Sequence, residues 1–236
     1  MVKLKKNGFN VGDDFINRKV FFLLILLIFS VVCSSGCVNQ NSGSNSNVSY
    51  TQDDVDYFSS IAFGTEDNPS DTRLSKWTGD IKVKIMGSPT DEDMKMINYT
   101  FSELNKNLNG ITISLDDSNP NMEIYFVPQS DFSNYIPSYV SGNEGYFNIW
   151  WNSDKAIYKS TIVISSDTSQ NARFHLIIHE ITQSLGLGMD SNKYPDSIFN
   201  ELPSETTQYS RRDITMIKML YQKNLKPGMS KQKVLE

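Results

Sequence analysis

The chain has 236 residues, a formal net charge of −5, 39% apolar residues and only two cysteines. That length accommodates one domain with a core of its own, and the acidic balance excludes a nucleic-acid binder, whose phosphate partner selects basic surfaces. Both cysteines, Cys33 and Cys37, lie near the start. Everything after them therefore lacks a disulfide, a thiolate metal ligand and a cysteine nucleophile.

The first residues are basic, with Lys3, Lys5, Lys6, Arg18 and Lys19, and an apolar run follows from Val20 to Cys33. A charged start, a short apolar stretch and small residues behind it make a secretory signal. The run is shorter than the roughly 18–20 apolar residues that span a bilayer. Its exit, "SSGC", resembles the lipobox of exported lipoproteins, with Gly36 before the cleavage point and Cys37 as the lipidated residue; Ser34 stands where that pattern more often has Leu. The resemblance implies a signal peptide over 1–36 and a lipid anchor at Cys37 in the cell membrane. An uncleaved anchor is the alternative, and either way the rest of the chain faces outside the cytoplasm. Loss of the leader takes the net charge from −5 to −8, since it carries five positive and two negative side chains. Residues 37–52, rich in Asn, Ser and Gly, read as a flexible tether, and residues 53–236 as the domain.

Within the domain, Val55–Phe63 reads as a short amphipathic helix. Ile81–Met86 alternates apolar and cationic residues, the period of a half-buried strand. Thr90 and Asp93 form a capping pair, after which Met94, Ile97, Phe101, Leu104 and Leu108 make one helical stripe that Gly110 stops. Ile111–Leu115, Glu123–Val127, Tyr146–Trp151 and Ser160–Ser165 read as four more strands. Trp150 and Trp151 point to opposite faces of theirs, so one of them is exposed or covers a cleft. A helix spans Ser169–Leu185, and a last one starts at the pair Ser210 and Asp213 with Ile214, Ile217, Leu220 and Tyr221 buried. This order predicts an α+β fold.

The chemistry concentrates in "HLIIHEITQSLGLGMD", residues 175–190, which holds both histidines. In an H-E-x-x-H helix two imidazoles four apart grip one zinc ion, and the glutamate handles the proton of its water. His179 and Glu180 match the first two positions, but Gln183 occupies the second histidine's place with a weaker amide donor. His175 and His179 are also four apart, yet Leu176 follows His175 where the motif has its glutamate; the other reading of His175 is a buried imidazole bonded to a neighbour. Glu180 sits among apolar residues and needs a partner, and a salt bridge to Arg173 or Lys218 would satisfy it. Thr182 and Ser184 read as solvent-facing, and Asp196 and Ser197 as turn formers.

"HEITQSLGL" resembles the active-site helix and glycine turn of metzincin-type zincins, with Gly186 at the glycine. Their third ligand follows that glycine by three residues, where this chain has Met189; Asp190 is one later. "YPDSIF" stands where those enzymes carry a methionine-containing turn, with Phe199 near the methionine, and "YSRRDITMIKMLY" is similar to the closing helix of matrixin-like domains. Residues 179–199 together resemble a set of exported bacterial and archaeal lipoproteins of unknown function. The resemblance implies a zincin-like fold: a twisted mixed sheet packed on a backing helix and an active-site-type helix, with a C-terminal helix. It implies zinc as cofactor on His179, Gln183 and Asp190, with Glu180 as the catalytic base. It also implies that an extended peptide or protein substrate pairs with the edge strand "GYFNIWW". Three functions remain at this point: a divergent zinc metallopeptidase, a non-catalytic peptide- or protein-binding envelope lipoprotein, and a structural envelope lipoprotein whose helix matches by shared ancestry only. The histidines are confined to one helix, which excludes a serine–histidine–aspartate arrangement built from distant elements, and no glycine-rich phosphate loop is present.

Overall fold

Short polar side chains decide where the helices begin. Thr51, Thr90 and Ser210 each accept a backbone N–H three residues on, and Asp54, Asp93 and Asp213 return a carboxylate to the cap N–H. These are complete capping boxes, and they open the helices α1 (Gln52–Ile61), α2 (Asp91–Asn107) and α4 (Arg211–Leu220). Ser169 and Ser230 cap α3 (Gln170–Gln183) and α5 (Lys231–Leu235) with a single bond each. The computed structural model describes residues 49–65, 70–200 and 206–236; the leader and Cys37 lie outside the described residues. Among the described residues no helix is long and apolar enough to cross a membrane.

The strands are β1 (Lys76–Trp77), β2 (Ile81–Gly87), β3 (Ile113–Leu115), β4 (Met122–Val127), β5 (Gly145–Trp151) and β6 (Ala156–Ser165). β3, β2, β4 and β6 lie side by side in parallel, β1 pairs with the first residues of β6, and β5 runs antiparallel to β6. The fold is thus a mixed α/β arrangement around a largely parallel sheet. Period-two alternation marks a strand but not its direction, and direction is what distinguishes this sheet from a plain α+β layout. The crossover through α2 makes β2 and β3 parallel.

Ile85, Ile124, Ile162 and Phe147 stand in register across four strands. With Ile97, Phe101, Ile177 and Ile178 from α2 and α3 they form one core. A smaller cluster of Val127, Phe132, Ile136, Tyr146 and Val163 lies apart from it. Trp150 and Trp151 both remain half-buried, each with a lysine over its ring (Lys159 at 5.1 Å and Lys155 at 4.1 Å), and the register shifts between them. That irregularity removes the strict in-and-out alternation expected of the pair.

Two buried charges tie the helices together. Asp93 caps α2 and also accepts from Gln170 and, at 3.1 Å, from Arg173 of α3. Burial pushes its carboxyl up, but the bonds from Thr90, Gln170 and Arg173 outweigh burial and hold it below the usual value. Lys76 is 7% exposed and donates from Nζ to the Leu220 carbonyl at the end of α4, at 2.6 Å. Burial, with a smaller push from Lys226, brings its pKa down to about 8.

Between about pH 8 and 10 the unfolded chain keeps the Lys76 proton that the folded chain has lost, so Lys76 makes stability rise with pH by up to about 1.4 kcal/mol per unit. Urea denaturation across that window is expected to show the wild type gaining stability relative to Lys76→Met as pH rises. Gly186 has φ +116°, and a Cβ there would stand 2.1 Å from the Ser75 carbonyl oxygen, whereas nothing lies within 4 Å of a Cβ at Gly79. Gly186→Ala is expected to cost about 2–4 kcal/mol by the same measurement, and Gly79→Ala less than about 0.5 kcal/mol.

Candidate functional site

Helix α3 lies under the sheet, and its polar residues are buried with it: His175 and His179 are 8% exposed, Glu180 5% and Gln183 1%. Thr182 and Ser184, expected to face solvent, are fully buried as well. Their hydroxyls donate to helix carbonyls, Thr182 to Ile178 at 2.6 Å and Ser184 to Ile181 at 2.8 Å, and Thr182 Oγ1 also meets the Tyr209 hydroxyl. Hydroxyls that bond back to their own helix enter a core at little cost, which is why polarity alone misplaced them.

The chain reverses at Gly186, and Asp190 comes back to the helix. Its Oδ1 accepts from Gln183 Nε2 at 2.6 Å and stands 3.4 Å from His179 Nε2. The opposite ring nitrogen, His179 Nδ1, is 2.5 Å from the Ile198 carbonyl. A carbonyl only accepts, so Nδ1 carries the proton and, in the neutral ring, Nε2 presents its lone pair on the side of Asp190. The structure therefore brings three of the sequence-derived residues, His179, Gln183 and Asp190, to one point. The "YPDSIF" segment lies beside them, with Phe199 fully buried.

The fourth residue, Glu180, lies against the start of β5. A Cβ added to Gly145 would meet Glu180 Oε1 at 2.5 Å and Leu176 Cδ2 at 2.8 Å. Of the two cations suggested by sequence, Arg173 pairs with Asp93 and Lys218 is exposed. His175 is a buried imidazole bonded to a neighbour, with the same Nδ1-to-carbonyl arrangement as His179. Its Nδ1 bonds the Thr206 carbonyl at 2.8 Å, and burial, with His179 nearby, lowers its pKa to about 4, so it is neutral at physiological pH.

As a metal centre this donor set is partial. Among the described residues no three His, Cys, Asp or Glu side chains gather as ligands. Two tetrahedral ligands at the usual zinc distances stand about 3.3 Å apart, and the 3.4 Å between His179 Nε2 and Asp190 Oδ1 matches that spacing. The Ile198 carbonyl supplies the outer hydrogen bond that orients ligating imidazoles. Gln183 fits only with its amide turned so that the oxygen, not the donating nitrogen, faces the point. Two donors, His179 Nε2 and Asp190 Oδ1, thus have the spacing of zinc ligands, while Gln183 as it stands presents a nitrogen that donates.

Sequence reasoning missed the roles of Gly145 and of the Ile198 carbonyl. A backbone acceptor has no side-chain signature, and the glycine is meaningful only through what packs on it. Ser197 and Asp213, read as a turn former and a cap, also join: Ser197 Oγ donates to Asp213 Oδ1 at 2.5 Å beneath the His179 ring's acceptor.

Fold and site define a mixed α/β domain with a His–Gln–Asp centre at the end of a helix, its histidine and glutamine buried and its aspartate half-buried. The chain belongs to the family DUF2927, described as proteins of unknown function, whose model matches residues 52–236. No curated protein matches it. Two solved structures of myroilysin are similar in part. One is 12% identical, with a TM-score of 0.41, covering 64% of this chain and 83% of that one. The other is 14% identical, with a TM-score of 0.41, covering 62% and 86%. Likeness of that size carries no conclusion about site or chemistry.

The contact between Glu180 and Gly145 is open to a double-mutant cycle. Gly145→Ala is expected to destabilise by about 1–3 kcal/mol in the wild type. In a Glu180→Ala background it should cost at least about 0.5 kcal/mol less, because only the Leu176 clash remains.

Proposed function

We propose that this chain is an exported, lipid-anchored, zincin-like domain in which His179, Gln183 and Asp190 hold a zinc ion and Glu180 acts as the base of a divergent peptidase. The observation that carries this reading is the return of Asp190 across the Gly186 turn to 3.4 Å from His179 Nε2. The layout also supports it. β5 is an antiparallel strand beside the site helix, paired among the described residues with β6 alone, and α2 backs α3 on the same sheet.

Each residue then has a definite task. His179, its Nδ1–H spent on Ile198, offers Nε2, and Asp190 offers the one negative charge. Gln183 contributes a neutral oxygen once its amide turns, which makes the ion weakly held. A bound zinc ion supplies Lewis-acid polarisation and an activated water. Glu180 takes up and returns the proton at a carboxylate packed beside Gly145, where a peptide extended along β5 would pass. The outer edge of β5 pairs with the backbone of that peptide by strand addition. The signal peptide 1–36 directs export, and Cys37 with the tether ahead of the Thr51 cap of α1 holds this activity at the outer side of the membrane.

One observation favours a second reading. The Gln183 amide already donates to Asp190 at 2.6 Å, which closes the centre by hydrogen bonds alone. A domain that keeps this bond binds peptides or proteins along β5 without turnover.

Zinc content of the purified chain separates the two. The metallopeptidase reading expects about one zinc per chain, lost in His179→Ala and Asp190→Ala and kept in His175→Ala. Gln183→His is expected to tighten binding by at least about ten-fold, by supplying the missing imidazole. A wild type that takes up no zinc while Gln183→His does would leave the peptide-binding reading standing.

A further inference from the structure

The loop from Gly186 to Asn200 supplies a group at each nitrogen of the His179 ring, Asp190 toward Nε2 and the Ile198 carbonyl at Nδ1. Three ties run to this loop from α1, the first element after the tether. The Ile61 carbonyl accepts from Met189 N–H at 3.2 Å, one residue before Asp190. The Tyr57 hydroxyl lies 2.8 Å from Ser197 Oγ, one residue before Ile198. At the surface Asp53 accepts from Lys193 Nζ at 2.7 Å and from the Tyr194 hydroxyl at 2.6 Å. One ten-residue helix thus holds the loop next to each of the two groups that orient the histidine.

The inner tie has a direction. Ser197 has a single hydroxyl hydrogen and donates it to Asp213 Oδ1 at 2.5 Å, so Tyr57 is the donor to Ser197. Ser197 Oγ also accepts from Phe199 N–H at 3.1 Å. Asp213, fully buried, accepts from Ile198 N–H at 3.4 Å and from Ser210 N–H at 2.8 Å. The peptide that carries the Ile198 carbonyl is therefore held on its N–H side by Ser197 Oγ, which accepts from Phe199, and the peptide before it by Asp213, while the carbonyl receives the His179 proton. Removing the Tyr57 hydroxyl takes away the donor that keeps Ser197 turned toward Asp213.

We propose that Tyr57 is a positioning residue for the His179 centre, acting through Ser197 and Asp213 on the Ile198 carbonyl, and that α1 is the element that completes the site. The zinc arm of the test rests on the metal reading above; the histidine arm does not.

The chain's two histidines make the test direct, because selective 15N labelling of the full-length protein reports only His175 and His179. Tyr57→Phe and Ser197→Ala are compared with Ile113→Val, a core truncation at the far end of the sheet. In the wild type the His179 Nδ1–H signal is expected to be sharp and slow to exchange with water. Tyr57→Phe and Ser197→Ala should speed that exchange and weaken zinc binding by about ten-fold, the usual scale for an outer partner of a ligating histidine. Ile113→Val should leave both readings alone. Zinc affinity within two-fold of wild type together with an unchanged Nδ1–H signal in Tyr57→Phe would overturn the proposal. Equal changes in Ile113→Val would overturn it too, by showing general loosening. Should the wild type bind no zinc, the metal reading fails, and the Nδ1–H exchange alone decides whether Tyr57 positions the ring.

Discussion

The reversal at Gly186 is the constraint on which the site depends. There the backbone passes so close to the Ser75 carbonyl that no side chain fits, and φ lies in a region that only glycine adopts easily. The reversal sends the chain back along α3, and Asp190 then reaches the same point as His179 and Gln183. With a straighter exit, the acidic residue would fall in a solvent loop and the helix would end in an imidazole and an amide with no carboxylate beside them.

Burial sets the second condition. Helix α3 lies between the sheet on one side and the C-terminal segments on the other, so its polar groups must be satisfied within the protein. Each solves this differently. Arg173 reaches Asp93 at the cap of α2, Thr182 and Ser184 bond their own helix, and His175 and His179 donate to backbone carbonyls. The consequence for chemistry is that the His179 ring is oriented before any ligand arrives, and its Nε2 faces a carboxylate. The same network runs on through Ser197 to Tyr57 of α1 and Asp213 of α4, neither of which contributes a residue to the His179, Gln183 and Asp190 group.

How much of this was legible in the sequence differs by element. The three capping boxes at Thr90, Ser210 and Thr51 use side chains three residues apart; the first two were readable locally. The apolar stripe of α2 and the strands from Ile81 and Tyr146 likewise follow from their periodicity. The loop chemistry was readable only by resemblance: "HEITQSLGLGMD" singled out His179, Glu180, Gln183 and Asp190, and the structure gathers three of them while placing Glu180 against Gly145. The Tyr57–Ser197–Asp213 chain was not readable, since its members are separated by 140 and 16 residues.

By itself, the sequence determined that α2, α3 and α4 are helical and where they start, that the domain is acidic and free of cysteine, and that its histidines share one helix; it set α1 three residues late, at Val55, and missed α5. These are local properties, set by side chains within a few positions of one another. Only the tertiary structure decided the direction of the strands, the burial of Thr182 and Ser184, the partner of Arg173, and the meeting of Asp190 with His179. Each of these depends on which distant segment comes to lie alongside, and that is set by the packing of α3 and its following turn against the sheet.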